Sequence, residues 1–452
     1  VTTALLTRLR EHPDAPRWNH QVSDRLGPDD LVALDDFRQA LSTQRRARDD
    51  ARPPPAVIAQ LAALIEKTPL FRARVGRVHD LAARWAELPT TSREELATVP
   101  EQLVPDGADL ARMVCYRTSG TSGHLLIVPY DPRTAALNVP LIELALARHG
   151  VPPLDLGPDD AACFLVGAQL RTVTYAATLS AWRGAGFAKL NLRLTEWPTP
   201  ASPQRYLDAF GPRLLTGDPI SFAEMLRLEI AARPAALLTT AVAMSANLRR
   251  RLAAAYAAPV IDWYSLTETG PLGYACPRGD GSYHQLPHDV HLEVVGPDGR
   301  PLPDGERGEI TVSGGRNPFI PLLRYRTGDH GRIDRAPCPC GDPMPRLVEL
   351  EGRAPVLFRA LDGRVVNPID VSRLFRELPL VQHELVQTQD GALELTARPV
   401  PGVTLDEEPL RAGLAALFGD GVALRVTIDP ALGDKRDGGK VIPFRSEYLL
   451  DE

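Results

Sequence analysis

The feature that most constrains this chain is an alternation running through residues 113–352. Short apolar runs at 162–167, 214–217 and 259–264 read as buried strands, and helical segments at 220–232 and 246–257 lie between them, punctuated by Gly/Pro turns. Strands interleaved with helices in this way argue for α/β layering. Beyond Gly296, the turn signals Pro297-Asp298-Gly299 and Asp304-Gly305 flank the run GEITVSG, a hairpin-rich section that could close the large domain. The first hundred residues read as helical, with apolar spacing at 30–41 and 56–65 and a capping box formed by Ser92 and Glu95. The last hundred differ: strands at 364–366, 393–397 and 422–428 and helices at 370–378 and 408–418 make a small α+β unit. The expected organisation is α/β, with a large N-terminal domain over residues 1–352 (1–100 a helical preface) and a small, mobile C-terminal domain over 353–452.

Size and charge narrow the function classes. A chain of 452 residues, 44% hydrophobic, holds more than one core usually fills. Lys+Arg at 51 against Asp+Glu at 57 leaves a net charge of -6, so nucleic acid and anionic membrane are not expected partners. The longest charge-free run, residues 234–248, is 15 residues, short of the roughly 20 that span a bilayer. Residues 1–14 carry two Arg and acidic residues where a signal peptide needs an apolar core, and the five Cys do not form an evident disulfide framework, so a cytoplasmic, reduced protein is expected. Only Lys67, Lys189, Lys435 and Lys440 are lysine; the other 47 basic residues are Arg. A lysine in a glycine-rich setting therefore stands out.

Four segments carry chemistry. In YRTSGTSG (116–123), Gly120 and Gly123 permit close backbone approach, and Thr118, Ser119, Thr121 and Ser122 offer hydroxyls that can wrap phosphate oxygens; a flexible Ser/Gly connector is the competing reading. No Gly-Lys-Ser/Thr follows, so this is not the GTPase phosphate loop. In DWYSLTETG (262–270), Thr267 and Glu268 set a hydroxyl beside a carboxylate after an apolar strand, which suits Mg²⁺, while Tyr264 either faces a nucleobase or packs. In RYRTGDHGRID (324–334), a turn displays Asp329 beside a glycine, where it can accept hydrogen bonds from a ribose diol. In GDKRDGGKVIPF (433–444), Lys440 follows two glycines.

In this order, the four segments resemble the ATP-grasping loop, the Tyr-x-x-Thr-Glu segment, the Thr-Gly-Asp segment and the C-terminal Gly-Lys of the adenylate-forming (acyl-CoA synthetase) superfamily. Within it the chain resembles the phenylacetate-CoA ligase family, with further echoes in LPTTSREEL (88–96), Asp218-Pro219 and CPCGDPMPRLVELEGR (338–353). The resemblance covers almost the whole chain. It implies an AMP-forming acid–thiol ligase that activates a carboxylic acid, aromatic in this family, as an acyl adenylate with ATP and Mg²⁺ and then forms a thioester with coenzyme A. Thr118, Ser119, Gly120, Thr121, Ser122 and Gly123 would hold the β,γ-phosphates, Thr267 and Glu268 the α-phosphate and Mg²⁺, Tyr264 the adenine and Asp329 the ribose. Lys440 would bridge the carboxylate and α-phosphate, and Gly352-Arg353 matches the family's Gly-Arg at the hinge between domains.

The chain departs from the family pattern at three places. Ala354, Pro355 and Val356 replace the acidic residues that follow Gly-Arg, His124 stands where the loop carries lysine, and Ser245 stands where glutamate is frequent. Proline fixes φ and removes a donor, which bears on whether the small domain rotates. The altered hinge keeps a second reading open, an adenylating enzyme that passes the activated group to a carrier protein, an amine or a nitrogen nucleophile; a third, from a different class, is a zinc-stabilised nucleotide-binding or scaffolding protein without turnover. Cys276, His284, Cys338 and Cys340, as Cys-x7-His and Cys-x-Cys, offer three thiolates and one imidazole to a tetrahedral Zn²⁺, although His288 or His291 could replace His284. Similar clusters occur in the family, so structural zinc is expected. Cys115 and Cys163 sit in apolar runs and are expected to be inert core thiols. Phe164, Tyr175 and Trp182 are candidate liners of an acid pocket, with Gln169 and Arg171 as polar recognition groups. Expected partners are a small-molecule carboxylic acid, a carrier protein under the second reading, and a second copy of the chain.

Overall fold

The computed structural model describes residues 3–43, 52–76, 80–117, 126–169, 171–241, 244, 246–286, 289–351, 356–376, 378–399, 403–430, 432 and 443–447. Ahead of the main sheet, α1 (Ala4–Glu11), α2 (Pro28–Thr43), α3 (Pro55–Ile65), α4 (Pro69–Val75) and α5 (Arg93–Thr98) precede the antiparallel pair β1 (Val114–Arg117) and β2 (Ile127–Tyr130). The capping box forms as the sequence implies: Ser92 Oγ accepts from Glu95 N at 3.2 Å, and Ser92 N donates to Glu95 Oε2 at 2.7 Å. Helices α6 (Pro132–Ala136) and α7 (Asn138–Arg148) then lead into the sheet.

Five strands run parallel: β3 (Ala161–Gly167), β5 (Ala185–Asn191), β6 (Leu214–Gly217), β7 (Ala236–Thr239) and β8 (Val260–Leu266). Edge strand β4 (Tyr175–Leu179) runs antiparallel to β5. Parallel strands need cover on both faces, and this half of the sheet has it. Helices α1, α8 (Ser202–Phe210), α9 (Pro219–Arg227) and α10 (Ala246–Tyr256) pack one face through Leu9, Tyr206, Phe222 and Leu252; α2 and α7 pack the other through Leu34 and Leu141. Asp218 caps α9, its side chain accepting from Ser221 N at 2.6 Å, with Pro219 in the first turn where its missing N–H costs nothing. That helix ends at Arg227, before the expected 232, as Glu229 adopts φ +53°.

From β8 the sheet continues antiparallel through β9 (Gly270–Ala275), β10 (Tyr283–Gln285), β14 (Arg346–Glu351), β13 (Leu322–Asp334), β12 (Gly308–Gly314) and β11 (Val290–Val295), twelve strands among the described residues. A third core, built on Leu61, Phe71, Leu292, Val312 and Tyr325, lies between this half and α3 and α4. The remaining strands form separate sheets: β15 (Phe358–Arg359) pairs with β16 (Val365–Val366), and β17 (Leu380–Gln387), β18 (Leu393–Pro399), β19 (Leu424–Ile428) and β20 (Phe444–Ser446) form a four-stranded sheet in the order β19-β18-β17-β20. With α11 (Pro368–Arg376) and α12 (Glu407–Phe418) they enclose their own core of Phe358, Phe375, Leu395 and Phe418. The architecture is thus a large α/β N-terminal domain with a smaller α+β C-terminal domain. Among the described residues, no helix is long and apolar enough to cross a membrane.

Two expectations change. Thr327-Gly328-Asp329 is not a turn: it lies inside β13, which pairs with β12 and β14 on either side. Cys115 is exposed on the short β1–β2 pair, whereas Cys163 is buried in β3, where desolvation pushes its thiol up to about 12.

Candidate active site

All five parallel strands end at the same edge of the sheet, at Gly167, Asn191, Gly217, Thr239 and Leu266, the edge where open α/β sheets place their ligand crevices. Tyr264 lies on β8, and Thr267 and Glu268 occupy the turn into β9. Gly270 starts β9 at φ +68°, a left-handed conformation that disfavours a side chain, and its α-carbon sits close to Tyr130 Oη and Arg316 Nη1, each 3.5 Å from where a Cβ would stand. Arg316 holds this turn by donating to the carbonyls of Thr269 and Pro271 while pairing with Asp289.

Thr267 is exposed, but the Glu268 side chain is only 1% exposed. Its Oε1 accepts from Arg93 Nη1 at 2.7 Å and from Tyr325 Oη at 2.5 Å, which offsets the cost of burying a carboxylate. Oε2 accepts from no described residue. The sequence reading missed both donors. Arg93 opens α5, and α5 is fixed because Thr91 joins the edge of β13: Thr91 N donates to Arg324 O at 3.1 Å, and Arg326 N donates to Thr91 O at 2.8 Å. The available signal was that LPTTSREEL and RYRTGD, each singled out separately, hold the two partners of one carboxylate.

Asp329 reaches the same edge through a bulge. Arg326 pairs with Thr311 and His330 with Glu309, so three residues of β13 face the single Ile310 of β12, and Gly328 takes φ +81°. Thr327 Oγ1 donates to Ile310 O at 2.8 Å and accepts from Asp329 N at 3.1 Å. Asp329 Oδ2 then accepts from Tyr264 Oη at 2.9 Å. Burial, reinforced by the Asp329 charge, holds the Tyr264 phenol well above its ordinary value, so it remains a donor. Thr-Gly-Asp suits a turn or a bulge equally from sequence; the paired strands on both sides decide for the bulge.

Thr118, Ser119, Gly120, Thr121, Ser122, Gly123, Arg353 and Lys440 lie outside the described residues, as do His124, Ser245, His288, Ala354 and Pro355. Flanking the 118–123 segment, Tyr116 of β1 meets Tyr130 of β2 edge-on at 5.3 Å, and Tyr130 Oη borders Gly270. Of the candidate liners, Phe164 is buried against Tyr206 on the helix-covered face, and Trp182 precedes β5, donating to Glu143 at 3.0 Å, away from the carboxyl edge. Tyr175 is half-buried at the start of β4.

The Cys/His cluster assembles at the far end of β9. Cys276 follows β9, His284 lies on β10, and Cys338 and Cys340 sit in the connection from β13 to β14; their ligand atoms all lie within 4.8 Å of one another. Cys276 and Cys338 Sγ are 3.7 Å apart, matching the ~3.8 Å between two thiolates on a tetrahedral zinc with ~2.3 Å bonds. His284 Nε2 faces Cys340 Sγ at 3.1 Å, while Nδ1 faces Met344 O at 3.3 Å, the arrangement that leaves Nε2 as the ligand atom. His291 instead packs against Trp85. The donor set fits zinc. The five residue steps of β9 separate this cluster from the Glu268 turn by about 17 Å, which places it away from the crevice.

The sequence matches the AMP-binding enzyme family over residues 56–317, more than half of the chain. A segment of 174 residues is 29% identical to the phenylacetate-coenzyme A ligase of Thermus thermophilus, covering 33% of this chain and 39% of that relative's length. The structure of a 2-hydroxyisobutyryl-CoA ligase with 2-HIB-AMP and CoA superposes with a TM-score of 0.50 at 16% identity, covering 93% of this chain and 89% of that one, a likeness of fold. The postadenylation-state structure of that ligase with R3-HIB-AMP gives 0.45 at 16% identity, over 92% and 89%. The family match covers the five parallel strands and the turn that carries the buried Glu268 carboxylate, and the chain belongs to the AMP-binding enzyme family.

Proposed function

We propose that the chain is an AMP-forming acid–thiol ligase, activating an organic acid with MgATP and passing the acyl group to coenzyme A. The observation that carries this reading is the convergence of Glu268 and the Tyr264–Asp329 pair at the carboxyl edge of the parallel strands in a chain of this family. A carboxylate oxygen of the acid attacks the α-phosphorus, the new P–O bond forms, and the bond to pyrophosphate breaks. Both reactants are anionic, so the site's task is charge balance rather than proton transfer. In this reading Glu268 offers Oε2 toward magnesium, with Arg93 and Tyr325 fixing the carboxylate through Oε1. Asp329, held by Tyr264, accepts from the ribose. Residues 118–123 take the β,γ-phosphates, and Lys440 spans the carboxylate and α-phosphate. Magnesium bound with ATP would supply positive charge against the phosphates. In the same reading the acid is aromatic, residues 353–452 reorient about a hinge near Arg353 between the half-reactions, and Cys276, His284, Cys338 and Cys340 hold structural zinc.

The test is acid-dependent exchange of pyrophosphate into ATP over aromatic, amino-aromatic and fatty acids, repeated with coenzyme A and followed by product analysis. Exchange with at least one acid, and a thioester only when coenzyme A is present, is the expected result. Exchange without any thioester assigns the acceptor to a carrier-protein thiol or an amine. No exchange across the panel removes the ligase reading.

A further inference from the structure

One lateral row of the main sheet is left partly open. Tyr175 of β4, Lys189 of β5, Leu165 of β3 and Thr216 of β6 pair in register and project from the same face. All four are half-buried, while the row's continuation, Leu238 and Ile261, is buried, as is Phe164 on the opposite face. The row is thus left partly accessible near the carboxyl edge. Tyr175 stacks on Phe187 at 5.9 Å and forms an aromatic wall beside the lysine.

Lys189 is one of four lysines in the chain and makes no hydrogen bond or ion pair among the described residues. Its charged neighbour is another cation, Arg373 of α11, which pairs with Asp370 at 3.1 Å and donates to Arg171 O. Burial, with Arg373 added, lowers the ammonium's pKa. A half-buried ammonium beside a second cation gains most when an anion enters.

Resting on the ligase reading, we infer that the organic acid carries a second anionic group, a carboxylate or sulfonate, and that Lys189 receives it while the aromatic wall takes the intervening carbon frame. Lys189 is then the specificity-determining residue for this acid. The alternative source of an anion is a phosphate of the thiol cofactor, so the first assay is pyrophosphate exchange without coenzyme A, comparing matched mono- and diacids. A charge-assisted contact predicts a preference for the diacid of about tenfold or more in kcat/KM, a ratio that Lys189→Met collapses toward one and Lys189→Arg partly retains. No preference in the wild type, or a preference that survives in Lys189→Met, overturns the inference. So does an effect of Lys189→Met confined to the KM for coenzyme A. If no acid supports exchange, the ligase reading has failed, and calorimetric binding of the diacid to the full-length protein and to Lys189→Met still decides the anion site: binding lost in the variant supports it, and equal or absent binding overturns it.

Discussion

Replacing Arg93 by Met tests how far the buried Arg93–Glu268 pair stabilises the fold. The Glu268 side chain is 1% exposed and Arg93 20% exposed, and they meet at 2.7 Å, with Tyr325 as the second donor. Removing one partner of a buried pair costs about 3–5 kcal/mol; the partial exposure of Arg93 puts this case at the lower end, about 3 kcal/mol. At about 2.1 cal/mol/K of unfolding entropy per residue, a domain of this size loses roughly 1–1.5 °C per kcal/mol, so Arg93→Met should melt about 4 °C below the wild type. Tyr325→Phe, which removes a hydroxyl donor to the same carboxylate, should cost about 1.5–3 kcal/mol. The decisive arm is the double variant Arg93→Met/Glu268→Gln: with the buried charge gone, most of the loss should return, giving a coupling of about 2 kcal/mol in urea denaturation. A loss below about 1 kcal/mol for Arg93→Met, or additivity within about 0.5 kcal/mol, would refute the reasoning, since independent sites add to that tolerance.

The remaining predictions concern metal, pH and the C-terminal lysine. Purified protein should carry about one zinc per chain by elemental analysis, with less than about half an equivalent counting against the site. Chelation should destabilise the fold by up to about 4 kcal/mol, the chain-entropy scale for tying positions 62 residues apart, such as Cys276 and Cys338, and Cys338→Ser should abolish the chelator's effect. His383 stacks on Phe375 at 4.4 Å, and burial depresses its pKa to about 4. The unfolded state therefore takes up a proton that the folded state refuses between pH 6.5 and 4, so stability falls with falling pH by up to about 3 kcal/mol; the slope in that window should shrink in His383→Phe, and an unchanged slope counts against the assignment. Lys440→Ala should slow adenylation roughly 10²- to 10³-fold, whereas near-normal acid-dependent exchange removes Lys440 from the mechanism.

Much of the fold was legible because its signals are local. The apolar runs at 162–167 and 214–217 are strands because parallel strands covered on both faces need continuous apolar sequence, and Ser92 with Glu95 caps a helix because four residues contain the whole interaction. The Cys/His cluster was legible for a related reason: thiolates and imidazole in two short spacings are rare enough that their chemistry announces a common ligand, and the sheet brings all four together.

What the sequence by itself determined is therefore the set of pieces: alternating layers, a separate α+β tail, a hydroxyl-rich loop, a Thr-Glu turn, a Thr-Gly-Asp segment and a thiol cluster. Only tertiary structure decided how the pieces act on each other. Arg93 and Glu268 are 175 residues apart and Tyr264 and Asp329 are 65 apart, so no spacing rule joins them; the edge of β13 and a three-residue bulge do. The same holds for Lys189, counted among four lysines but without a role until the register set it beside Tyr175 and the burial pattern left that row open. Backbone conformation follows from neighbours in sequence, whereas charge balance depends on distance in space, and only the packed chain fixes that distance.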